Sequence, residues 1–180
     1  RNRRFRKKEL LHQELAKTLG LQVAYLNERD FNLFGTYREY ALRIEAVPIV
    51  PIGATKGTTA LKLSLPMTNP NLKSLRVGKH SSQYPELSEY RLIDRPAAFP
   101  HKVADWLEIT TNDLMFSSLL LSDDVKISLY EVLKPLPAAL LYVQDEELAL
   151  ITPLLLTEED RLTEMKQMAD LLCDMKDELN

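Results

Sequence analysis

The chain has 180 residues, 45% of them hydrophobic and 27% charged, with a formal net charge of -3 and one cysteine, Cys173. That length and balance fit a single globular domain that can bury a full core without staples, and the lone cysteine excludes an internal disulfide. The charge is uneven: Arg1, Arg3, Arg4, Arg6, Lys7 and Lys8 form a basic head with no acid, whereas residues 145–180 carry eleven acids against three bases.

Taken in order, Lys7 to Leu19 reads as a helix, because Leu11, Leu15 and Leu19 recur every four residues and Gly20 stands where a left-handed C-terminal cap belongs. Leu21 to Leu26 reads as a strand and Asn27 to Asp30 as a turn. Phe31 to Phe34 opens another strand, with Gly35 as a bulge or bend. Tyr37 to Val47 gives the clearest strand pattern: Tyr40, Leu42, Ile44 and Ala46 lie on one face, Arg43 and Glu45 on the other. Pro48 and Pro51 limit it. Thr59 to Leu65 alternates again. Between these strands, Gly53 to Thr59 resembles a phosphate loop only in composition: Lys56 precedes Gly57 and no helix follows, so it is read as a hairpin loop.

Residues 66–105 carry no sustained period and are read as an insertion, with Leu75 to Val77 and Tyr90 to Ile93 as short strands within it. The functional reading of Arg76, Lys79, His80, Arg91 and Arg95 is an anion or partner surface, but an ordinary solvated insertion is the preferred reading, since scattered loop charges are usually just solvated. Trp106 to Leu156 is the densest stretch. Leu107 and Ile109 alternate as a strand, and Asn112 or Asp113 caps a helix whose Leu114, Met115, Phe116, Leu119, Leu120 and Leu121 predict extensive burial. Ser122 caps a second helix bearing Val125, Leu129, Val132 and Leu133, stopped by Pro135 and Pro137. Ala139 to Val143 and Leu148 to Thr152 form a hairpin around Asp145 to Glu147. Thr157 to Leu179 is the last helix, with Thr157 and Asp160 as a capping box and Leu162, Met165, Met168, Ala169, Leu172 and Met175 on one apolar face. Cys173 lies beside that face as a small buried hydrophobe.

The residues that carry chemistry are scattered. His12, His80 and His101 have no neighbouring ligands at metal spacing. There is no activated-serine elbow and no calcium loop. The acidic clusters fall at turns and helix starts, where capping and solvation explain them. No catalytic residue, cofactor or metal site is assigned. Nucleic acid is not expected as a partner, since Phe5 is the only aromatic among the strongly basic residues and the pI is about 5.7.

Together these elements predict an α+β fold: a mainly antiparallel sheet with helices packed on one side, in the order α-β-β-β-(insertion, β)-α-β-β-α. That order resembles the type III secretion chaperone-like fold. The Gly35-Thr-Tyr-Arg-Glu-Tyr stretch, the late strand-helix-hairpin-helix block and the basic start are similar to uncharacterised bacterial domains that follow membrane helices. This resemblance implies no active site, and the basic start together with the missing catalytic constellations predicts a non-catalytic interaction domain on the cytoplasmic side of a bacterial membrane. Residues 1–8 would then form a juxtamembrane tether contacting anionic lipid, residues 9–180 the domain, and an upstream helix the anchor. Two alternatives stay open: an enzyme with its site under the 66–105 insertion, and a chaperone-like homodimer binding a protein partner.

Overall fold

In the computed structural model, which describes residues 3–25, 31–49, 58–78, 101–104, 107–136, 139–152 and 160–180, the apolar alternation of the strands resolves into one nine-stranded antiparallel sheet. Helix α1 (Arg3–Leu19) precedes β1 (Gln22–Tyr25), β2 (Phe31–Tyr37), β3 (Tyr40–Ile49), β4 (Thr58–Pro66), β5 (Leu75–Gly78), β6 (His101–Ala104) and β7 (Leu107–Thr111). Helices α2 (Leu114–Leu120) and α3 (Asp123–Leu133), the hairpin β8 (Leu140–Gln144) and β9 (Glu147–Thr152), and helix α4 (Asp160–Asp177) complete the order. The strands lie as β1-β2-β3-β4-β9-β8-β5-β7-β6. This is the expected α+β class, with the helices on one side.

The period of two decides which face is core. Leu33, Leu42, Ile44, Leu63, Leu65, Leu75, Val77, Leu141, Val143, Leu148 and Leu150 are buried on the helix-covered face, against Leu11, Leu15, Leu129, Leu133 and the methionine face of α4. Met165, Met168 and Met175 are all fully buried there, as is Cys173. At the middle of the sheet the opposite face is buried too, through Ala60, Leu140, Tyr142, Ala149 and Ile151. That is why β8 and β9 read as continuous apolar runs rather than as alternation.

The structure corrects the sequence reading at several elements. Tyr37 to Val47 is not one strand: the chain turns at Arg38 and Glu39, whose φ angles are +47 and +71. Two consecutive positive φ values make the two-residue turn that suits the twist of a hairpin, but neither residue is the usual Asn or Gly. Gly35 forms no bulge. It pairs in register with Leu42, and a Cβ at this position would lie 3.2 Å from a Leu21 methyl. Leu75–Gly78 does become a strand, but within the sheet, between β7 and β8. His101–Ala104 forms an edge strand that no periodicity announced. Helix α2 is far from mostly buried, since only Phe116, Ser117 and Leu120 among its residues are. The Gly53–Gly57 loop, Tyr90–Ile93 and the Thr157 cap lie outside the described residues.

Candidate functional site

The strand registers place the two ends of the domain. Gln22 pairs with Phe34 beside the β2–β3 turn, Pro66 with Glu147, and Leu75 with both Thr111 and Val143. The β2–β3 turn, the 67–74 loop, the β8–β9 turn and the start of α2 therefore share one end of the sheet, the distal end. Helix α1 finishes at that end, because Leu19 leads through Gly20 into β1. Its first turn lies about 25 Å away, at 1.5 Å per residue along a 17-residue helix.

Helix α1 extends into the basic head, beginning at Arg3 rather than Lys7, with no acid in its first turn. Arg6 and Lys7 are exposed, while Leu11, Leu15, Ala16 and Leu19 hold the helix to the sheet. The positive end of a helix dipole disfavours cations, so this charge pattern carries a local electrostatic cost. Arg3, Arg4, Arg6, Lys7 and Lys8 are thus part of helix α1. Arg1 lies outside the described residues.

At the distal end, the 67–74 loop is fixed by a polar network. Asn69 accepts from Lys73 N at 2.9 Å and donates to Lys73 O at 2.7 Å. Asn112 accepts from Ser74 N at 2.7 Å and donates to Leu72 O at 3.0 Å. Buried Thr111 donates to Ser74 O at 2.8 Å. This network presents Leu72 outward, 63% exposed and at a φ of +49, a conformation that a leucine rarely adopts. Beside it, α2 turns Leu114, Met115 and Leu119 to solvent, with Met115 85% exposed. Asp113 caps this helix by accepting from Phe116 N at 2.9 Å. That bond, together with Lys73 at 3.4 Å, holds the carboxyl below its ordinary range.

Of these side chains, Leu119 lines a groove of about 320 Å³, together with Met67, Lys73, Phe116, Lys176 and Leu179 among others. Lys73 Nζ lies 5.4 Å from the centre of the Phe116 ring, a cation–π contact. Partial burial lowers the pKa of Lys176 from its ordinary value. No carboxylate side chain lines the groove among the described residues.

The Gly35-Thr-Tyr-Arg-Glu-Tyr stretch fastens the β2–β3 hairpin to α4. Tyr37 donates to Asp170 at 2.6 Å, and Arg38 meets Asp174 at 2.8 Å and Asp177 at 3.0 Å. Tyr40 donates to Asp177, and Asn180 donates to Tyr40 at 2.8 Å. Spacings of four and then three residues put these aspartates on one stripe of the helix. Sequence reasoning took them as part of a diffuse acidic tail, because their partner is far along the chain.

Among the described residues, His12 and Cys173 lie in separate parts of the core. His12 is 3% exposed, stacked on Phe31 with ring centres 3.4 Å apart, and its Nε2 has no hydrogen-bond partner. Burial, reinforced by the charge of Lys8, lowers its pKa to about 4. Burial raises the Cys173 thiol to about 11, and its Sγ lies 3.9 Å from the Tyr37 carbonyl oxygen. Cys173 is therefore a protonated core residue at neutral pH. His80 lies outside the described residues. Among the described residues no group of three or more His, Cys, Asp or Glu could hold a metal ion, and no helix is long and apolar enough to cross a membrane.

What the fold defines is an α+β domain with a broad antiparallel sheet backed by helices on one face. The crystal structure of the mycobacterial trehalose monomycolate transport factor A, TtfA, has the same fold, with a TM-score of 0.62 at 9% identity, covering 99% of this chain and 96% of that one. At that identity the likeness shows the fold alone. No family model matches the chain, and no curated protein does.

Proposed function

We propose that this chain is a non-catalytic interaction domain held at the cytoplasmic face of a bacterial membrane, acting as an accessory to a transport process. The observation that carries this reading is the start of α1, where Arg3, Arg4 and Arg6 occupy the positive end of the helix and the first turn contains no acidic residue. A charge pattern that opposes the local helix preference is accounted for by an outside anion. An anionic lipid surface supplies one, and each Lys or Arg near such a surface contributes about 1 kcal/mol. The role as a transport accessory draws on the name of TtfA and on a shared architecture that spans nearly the whole of both chains.

Co-sedimentation with vesicles tests the tether. The chain should pellet with vesicles rich in anionic lipid, stay in solution with purely zwitterionic ones, and be released as salt rises. Replacing Arg3, Arg4, Arg6, Lys7 and Lys8 by glutamine should abolish pelleting while leaving the circular dichroism spectrum unchanged. Equal binding to both kinds of vesicle, or full binding by the glutamine variant, would remove the membrane from the account.

A further inference from the structure

The distal end carries an arrangement that the tether leaves unexplained, and the following inference rests on the interaction-domain reading. We propose that Leu72, Leu114, Met115 and Leu119, with the adjoining groove at Lys176, dock an acidic amphipathic helix of a protein partner. Its apolar face would lie on the four exposed side chains and a carboxylate would enter the groove.

Three observations fix this occupant. The first is that the apolar side chains are presented rather than merely left over. Leu72 is held in a left-handed conformation by hydrogen bonds from a loop anchored on buried Asn69, Ser74 and Thr111, and fixed apolar side chains dock at a low entropic cost. The second is charge. Lys176 lines the groove half-buried, Lys73 lines it while paired with Asp113 at 3.4 Å, and no carboxylate side chain lines it among the described residues. A carboxylate arriving there gains a charge-assisted hydrogen bond in a partly dry setting. The third is position. The surface lies at the opposite end of the sheet from the basic start of α1, so a domain resting on lipid by that start turns Leu72 and α2 away from the bilayer. That orientation argues for a protein over a lipid surface. A helix would engage such a surface through anchors spaced along one face.

The probe is a synthetic helical peptide with leucines at every third or fourth position and glutamates flanking them, paired with a twin in which lysines replace the glutamates. Binding to the full chain is read by fluorescence anisotropy and by methyl NMR shifts. The glutamate peptide should bind at least tenfold more tightly than its twin and shift the resonances of Leu72, Leu114, Met115 and Leu119. Met115→Glu combined with Leu119→Glu should weaken it at least tenfold, and Leu72→Asn should weaken it while leaving stability unchanged or raised. Lys176→Glu should reverse the preference between the peptides. The Leu72, Met115 and Leu119 side chains are exposed and Lys176 is half-buried, and a cooperative melting curve for each variant establishes that it folds. Failure of both peptides to bind, or equal binding of the two, would overturn the proposal. So would dimerisation of the free chain that Met115→Glu abolishes, since the occupant would then be a second copy. Vesicle pelleting by the unaltered chain, read beside its peptide binding, separates this inference from the tether: pelleting with no peptide binding refutes only the docking surface, and peptide binding without pelleting refutes only the membrane.

Discussion

His12 illustrates how one residue can set the pH response of the whole fold. It is an imidazole buried against Phe31 with an orphaned nitrogen, and burial holds its pKa at about 4. The unfolded chain takes up that proton near pH 6.5, the folded chain only near 4. Folding is therefore unpenalised above the unfolded value. It loses stability as pH falls from 6.5 towards 4, by about 2 to 3 kcal/mol in all. Chemical denaturation across that range should show the slope, and His12→Leu should flatten it. An unchanged slope in the variant would assign the response elsewhere. The burial of His12 was not legible in the sequence: a histidine one residue after Leu11 reads equally as the rim or the inside of an amphipathic face, and only the approach of Phe31 decides.

At the scale of the element, the β2–β3 hairpin shows a local preference overruled by a distant contact. A turn with positive φ at both central residues favours Asn-Gly, yet Arg38 and Glu39 occupy it. Arg38 reaches Asp174 and Asp177 from there, and that ion pairing offsets the backbone cost. Arg38 is more than a third exposed, so solvent screening limits the pairing to about 1 kcal/mol. Arg38→Ala should cost that much in urea unfolding, and the difference should shrink in high salt. The stretch was singled out in the sequence, but the turn was not visible because no turn residue marks it. The adjacent Asp170 adds an acid limb. Partial burial raises its pKa, but this is outweighed by the hydrogen bonds from Tyr37 and Lys166 and by the charge of Arg38, leaving it below the ordinary value. Its contribution is present above the ordinary carboxylate range and is lost as pH falls through the folded pKa. Helix α2 gives the opposite lesson. Its apolar density predicted burial, whereas Leu114, Met115 and Leu119 face solvent, because sequence density cannot separate a core face from an exposed one.

For the molecule as a whole, the strand alternation and helix spacing sufficed for the α+β class and the helix-backed sheet, since those patterns are local. The order of strands was not legible, because β5 reaches its place between β8 and β7 through pairings distant in the chain. The candidate surfaces divide likewise. The basic head was visible as a run of charge, while the distal surface needed the loop at Leu72 and helix α2 brought together. The account that results is a two-ended domain, basic at the start of α1 and apolar at the far end of the sheet. Hydrogen–deuterium exchange on the full chain, with and without vesicles rich in anionic lipid, tests it most directly. Added vesicles should slow exchange in the first turns of α1 and leave the 67–74 loop and α2 unchanged, and raised salt should remove the protection. Protection of α2 instead of α1, or equal protection by zwitterionic vesicles, would contradict the account.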